Sequence, residues 1–185
     1  GTAAVGASVG TIVFKGKTFA IVRPGTTLTA ANGNIIVYAD SKEKVIMIVL
    51  GGGAGGTAAV NGSFAVLVMN VTTQAKVEDG TSGNGSSLSA AKGSVTVKAT
   101  DTTDLNLNTG NANVGGAAAV GAAIEVAVYR NTVTAMIGNY NTVTAKSILV
   151  QAIADRDIQA AAVMASASGT ASINGSILVL SIGAG

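Results

Sequence analysis

The chain has no cysteine, no histidine and no tryptophan, and only one proline in 185 residues. Without thiol or imidazole there is no cysteine nucleophile, no zinc-type site and no histidine proton shuttle. Zero cysteine is compatible with export but does not establish it. Charged residues make up 11% and aromatic residues 3% of the chain, whereas 48% is apolar, so it is too hydrophobic and too weakly charged for a disordered linker. In the first half the longest apolar run, Val45–Leu50, is six residues. A membrane-spanning helix needs about 20. Three Phe and three Tyr cannot furnish the two aromatic girdles of a membrane β-barrel, so no membrane-spanning reading follows. A formal charge of +2, with no basic cluster and no stacking aromatics, gives no nucleic-acid footprint. The first residue is Gly1, and no charged and apolar leader is visible, so the chain reads as processed or as cut from a longer protein.

What is present is repetition. Small-residue triplets begin at Thr2, Thr29, Thr57, Ser89, Ala117, Thr144 and Thr170, at spacings of 27, 28, 32, 28, 27 and 26. A period in the twenties is a solenoid signal. Each triplet leads through a Gly or Asn turn into alternating β-branched residues. In "SVTVKAT" the period of two puts Val95, Val97 and Ala99 on one face and Thr96, Lys98 and Thr100 on the other. In "AIEVAVY" the same logic buries Ile124, Val126 and Val128 and turns Glu125 and Ala127 outward. Consecutive units alternate in character, and the pentapeptides at Gly1, Gly56, Gly116 and Gly169 mark a larger repeat with spacings of 55, 60 and 53.

These patterns predict an all-β protein: a right-handed parallel β-helix, or β-solenoid, with about 27 residues and three short strands per coil. Six to seven coils would form one segment over residues 1–185, the last coil incomplete, in a rod of roughly 30 Å. Every triplet would then occupy the same corner of successive coils. The 32-residue unit carries its excess in "DGTSGNGSS", Asp79–Ser87, expected to bulge as a loop while the coil beneath keeps its register. Arg23–Thr27 and Gly138–Thr142 are expected as shorter turns on the same edge. Uncapped coil ends would expose unpaired backbone and invite end-to-end self-association.

The run Gly115–Asp157 is similar to the repeats of very large filamentous adhesins and leukotoxin-type surface proteins of fusobacteria and related anaerobes. Those alternate a "GG-x-A-x-G-x-x-x-V-x-V" segment, an "N-x-T-x-A-x-I-G" segment and an "A-x-G-x-I-x-V-x-A" segment. The matching stretches are Gly115–Val128, Asn131–Gly138 and Thr144–Asp155, with a weaker copy over Gly55–Asp101 and a loose fit over residues 1–54. The resemblance implies an extracellular or cell-surface stalk, exported by an autotransporter-like or two-partner route, that spaces and presents binding regions to a host-cell or other surface ligand. It carries no catalytic motif, so no catalytic, metal or cofactor residue is assigned.

Loops carry variability while a coil is constrained, so partner contact is expected at the loop edge, through Arg23, Thr26, Asp79, Thr81, Asn84, Asn139, Tyr140 and Asn141. Asp40, Asp101 and Asp155 fall at matching places in the short repeat and suggest an acidic ridge, although turn capping is the plainer reading. Asp101 with Asp104, or Asp155 with Asp157, are the pairs a carbohydrate-active β-helix would need, at roughly 5–9 Å separation. The remaining alternative is a self-assembling extracellular filament subunit.

Overall fold

The computed structural model describes residues 2–184; Gly1 and Gly185, the two ends of the predicted segment, lie outside the described residues. The chain is all-β. Eight strands follow one another: β1 (Ala3–Val22), β2 (Thr27–Thr29), β3 (Ile35–Gly55), β4 (Ala58–Val77), β5 (Ser87–Gly115), β6 (Ala118–Ile137), β7 (Thr142–Ser168) and β8 (Ala171–Gly183). Every pairing is parallel. One sheet stacks β1, β4, β6 and β8, and the other stacks β2 and β3, then β5, then β7. The chain therefore alternates between two facing walls, which is the logic of a solenoid.

The coil is twice the predicted length. Ala3 pairs with Ala58, Ala58 with Ala118 and Ala118 with Ala171, offsets of 55, 60 and 53. Ladder hydrogen bonds thus join units two apart, and the 27-residue unit is half a coil. The described residues form four layers in one wall and three in the other, not six to seven coils. At about 4.8 Å per layer and about 3.3 Å per residue along a strand, the body is wider than it is tall, a blade rather than a rod. Nor do all triplets share a corner. Thr2, Thr57, Ala117 and Thr170 stack at one end of the blade, and Thr29, Ser89 and Thr144 at the other. Both corners select small residues because two walls meet at each, and that common demand produced the shorter apparent period.

The loop expectation holds. Val77 to Ser87 is ten steps, against five from Val22 to Thr27 and five from Ile137 to Thr142, so all five extra residues of the 60-residue coil lie in that loop. The strands on either side remain in register.

Two apolar clusters fill the space between the walls. One lies beside the turns and contains Val77, Leu88, Val95 and Val97. The other lies further along and contains Leu67, Met69, Leu105, Leu107 and the Tyr129 ring. Fully burying a side chain of the Leu or Met kind stabilises by about 2 kcal/mol. Val95, Val97 and Ala99 point inward as the alternation predicted. In β6 the phase is opposite to the prediction: Glu125, Ala127 and Tyr129 are buried, and Ile124, Val126 and Val128 face out. Glu125, Ala127 and Tyr129 stack on Ala65, Leu67 and Met69 of β4, which are buried, so the ladder register carries the inward phase of one layer into the next. At the thin corner the stacking of layers demands glycine. A Cβ on Gly116 would lie 1.9 Å from the Gly56 carbonyl oxygen of the coil beneath.

The thin half of the blade is inverted in polarity. Inward-facing Asn61, Ser63 and Glu125 are buried, while Val60 and Phe64 on the same wall are exposed. On the outer surface the residues form ladder columns across the four layers. Val5, Val60, Val120 and Ile173 make one column, and Val9, Phe64, Ile124 and Ile177 another. Small residues alternate with them: Ala7, Gly62, Ala122 and Gly175 lie between these two columns, and Ala3, Ala58, Ala118 and Ala171 lie beyond the first.

Candidate functional site: a stacked-turn edge and a buried polar belt

The eight residues expected at the loop edge do come together, in three turns piled on one another where β1, β4 and β6 end. Thr26 Oγ1 donates to the Arg23 carbonyl at 2.7 Å and closes the first turn. Ser86 joins that turn to the loop, donating from Oγ to the same carbonyl at 2.8 Å. The Arg23 guanidinium lies 3.8 Å from the Glu78 carboxylate. Above the loop, Asp79 Oδ1 accepts from the Asn139 backbone N–H at 2.6 Å and from Asn139 Nδ2 at 3.0 Å. Asn141 is the clasp: its Nδ2 donates to the carbonyls of Glu78 and Gly138, both at 2.9 Å, and its Oδ1 accepts from Ser86 N–H at 2.8 Å.

The backbone bends sharply at this edge. Gly25 and Gly83 have φ of 75° and 82°, and Tyr140 stands at 60°, a left-handed conformation that a bulky residue rarely adopts. Tyr140 is exposed there. The Asn84 N–H donates to the Thr81 carbonyl at 2.9 Å, closing the tip of the loop. Lys76, Glu78, Asp79 and Met136 line a shallow, open cleft of about 320 Å³ beside the turns. The edge thus presents mixed charge and amide groups on a scaffold held by its own hydrogen bonds.

The predicted acidic ridge does not form. Asp40 pairs with Thr100, Asp101 with Ser41 and Ala154, and Asp155 with Thr102. The 27-residue spacing does not correspond to stacking, so the three aspartates occupy different columns. Asp101 and Asp104 differ by an odd step and point to opposite faces of β5, so they do not converge on one groove. Asp104 is engaged instead by Lys44, whose Nζ lies 2.7 Å from Oδ2. Asp155 and Asp157 share the outer face, where Asp157 Oδ1 accepts from Gln159 Nε2 at 3.5 Å.

Asp101 belongs to a polar belt between the two apolar clusters, and it is fully buried. Its carboxylate accepts from Thr73 Oγ1 at 3.2 Å, Thr103 Oγ1 at 3.0 Å and Asn131 Nδ2 at 2.6 Å. Tyr129 extends the network, its hydroxyl lying 2.7 Å from Thr103 Oγ1 and 2.8 Å from Asn131 Nδ2. Burial pushes the Tyr129 pKa up. One layer below, Ser41 donates to Glu43. Burial raises the Glu43 pKa; the Ser41 hydrogen bond opposes this and repulsion from Asp101 adds to it. One layer above, the Arg156 guanidinium sits 5.7 Å from the centre of the Tyr129 ring. Glu43, Thr103 and Arg156 occupy one ladder column, so a line of charged and polar groups runs from half-buried Glu43 through buried Thr103 to Arg156, exposed on the last layer.

The sequence held the signal for this belt. The alternation Val95, Val97, Ala99 continues to Asp101, Thr103, Leu105 and Leu107, all inward. Thr73, Tyr129 and Asn131 join only through the true coil length. Further along, Glu125 is 2% exposed. Its pKa is raised by burial, and the nearby Thr109 hydroxyl, which makes no well-formed hydrogen bond to it, offsets only part of the effect. Among the described residues no group of three or more Asp or Glu is placed to hold a metal ion.

Comparison with protein-family models, with curated proteins and with solved structures finds no match to this chain.

Proposed function

We propose that this chain is a non-catalytic stalk segment of a secreted or cell-surface bacterial filamentous adhesin, a rigid spacer that carries binding regions at a distance from the cell. The observation behind this reading is the unbroken register of the ladders in the β1–β4–β6–β8 wall. β1, β4 and β6 pair residue for residue over twenty positions, and the long loop after β4 inserts without shifting them. Continuous parallel ladders resist bending and accept further coils at a fixed step, which are the mechanical needs of a spacer. The coil is right-handed in this reading, on the general preference of parallel crossovers.

Contact with a host-cell or other surface ligand is assigned to the stacked-turn edge, where Arg23, Asp79, Asn139 and Tyr140 lie together outside the ladder. Two experiments test the reading. Antibody raised against the Asp79–Ser86 loop is expected to label intact cells of the source bacterium, and a loop accessible only after lysis would overturn a surface role. Negative-stain microscopy beside sedimentation should give discrete blades. Ordered fibres of fixed axial repeat would replace the spacer reading with that of a self-assembling filament subunit.

A further inference from the structure

The charges of this protein are sorted to one half of the blade. Nineteen of the twenty lie within residues 15–44, 76–104 and 130–157, and the other half carries only Glu125, which is buried. Over that uncharged half, the outer face of the β1–β4–β6–β8 wall is an apolar grid. In the inner layers Val60 is 44% exposed, Phe64 40% and Val120 37%, and in the outermost layer Val5 reaches 83%. The same stretch of wall turns Asn61, Ser63 and Glu125 inward, so the Val, Ile and Phe side chains outside are not a leftover of a filled core. A large exposed apolar patch of this kind marks an interaction surface.

The relief of the grid identifies its occupant. Bulky and small columns alternate along the strands: Ala3, then Val5, then Ala7, then Val9, each standing for its column of four layers. We propose that this face pairs with the same face of a second copy, about a two-fold axis that runs parallel to the coil axis between the Val5 and Ala7 columns. That operation lays the Val5 column of one copy over the Ala7 column of the other, and the Val9 column over the Ala3 column. Every ridge meets a groove, as isologous contacts require. Strands oppose each other antiparallel at the usual sheet-to-sheet distance of about 10 Å, while the two coil axes stay parallel. The charged column that begins at Lys15 and includes Arg130 falls beyond the partner's thin corner and stays in water. Four layers over the overlapping columns cover roughly 600 Å² per copy, or about 1,200 Å² in all, the size at which specific interfaces begin.

A lipid surface would also cover apolar side chains, but a fluid makes no use of a ridge spacing. The face also lacks the Trp and Tyr that anchor proteins at the headgroup level: there is no Trp, and the three tyrosines, Tyr38, Tyr129 and Tyr140, lie elsewhere. The proposal stands apart from the adhesin reading, since it concerns how two blades lie side by side whatever they carry.

Sedimentation of the native chain, V120K and A122F tests it, with far-UV circular dichroism to confirm that each variant is folded. The native chain is expected as a dimer. V120K, which puts a charge in a ridge, and A122F, which fills a groove while keeping the face apolar, are expected as monomers. A native chain that is monomeric at its highest soluble concentration overturns the proposal, as does a dimer that survives A122F. Cysteine cross-linking reads the axis independently of those variants. Mixed V120C and A122C chains should be joined by a bis-methanethiosulfonate linker short enough to bridge only directly opposed residues, and either alone should give little product. Cross-linking of V120C alone as strongly as in the mixture overturns the axis. Flotation of the native chain with phosphatidylcholine or phosphatidylglycerol vesicles, in place of dimerisation, assigns the face to lipid and overturns the pairing.

Discussion

Asn131 donates from Nδ2 to Asp101 Oδ1 at 2.6 Å, linking one wall of the blade to the other across 30 residues of chain. The bond lies inside the core, between two apolar clusters, where an unpaired polar group costs far more than at the surface. Asp101 is therefore expected to hold the layers in one relative position, because its three donors come from β4, β5 and β6.

Replacing Asp101 by Ala should destabilise the protein by about 3 kcal/mol, since it leaves the Asn131 amide and the Thr73 and Thr103 hydroxyls without their acceptor. Thr73→Val removes one weak donor and should cost about 1 kcal/mol. Denaturant unfolding measures both. Equal losses for the two variants would show that the belt does not act through Asp101.

Glu43 and Glu125 set the pH dependence. Burial raises both above the ordinary value of 4.5, so the folded state holds their protons more tightly than the unfolded chain does. Their contribution to stability is complete below that value and is lost as pH rises through the raised folded values. Melting temperature followed from about pH 4 to about pH 8 should fall, and Glu125→Gln should flatten the fall and raise stability at neutral pH. A native curve that rises steadily over this range would contradict the placement of these carboxyls.

The stacked turns separate two kinds of residue. Asn141→Ala removes two hydrogen bonds to the neighbouring loop and one within its own turn, and should cost about 2 kcal/mol while loosening the Glu78–Ser86 loop, read by amide exchange. Tyr140→Gly relieves a left-handed backbone and should leave stability unchanged or raise it by up to about 1 kcal/mol. If the edge contacts a partner through the exposed ring, the same variant weakens that contact with no loss of fold.

Glycines differ by what lies next to them. Gly116→Ala drives a methyl group into the Gly56 carbonyl and should destabilise by about 2 kcal/mol or more. Gly33→Ala meets nothing within 4 Å and should be neutral or stabilising by up to about 1 kcal/mol. Thermal unfolding of the pair tests the close stacking at the thin corner.

Much of the architecture was written locally. The period of two, the β-branched content and the recurring small-residue corners are properties of short stretches, and they determined an all-β solenoid with parallel walls and the place of the long loop. Even the true coil was present, in pentapeptides 55, 60 and 53 residues apart, but the stronger 27-residue signal masked it because both corners of the blade demand small residues. Only the tertiary structure decided which units hydrogen-bond and how far apart the walls stand. Register is a property of two segments together, and it chooses between alternating phases that are equally good in isolation: Glu125 and Ala127 stack on the inward Ala65 and Leu67. That is why Glu125 faces in, why Ile124 faces out, and why Asp101 meets Asn131 in the core instead of joining Asp40 and Asp155 on a ridge.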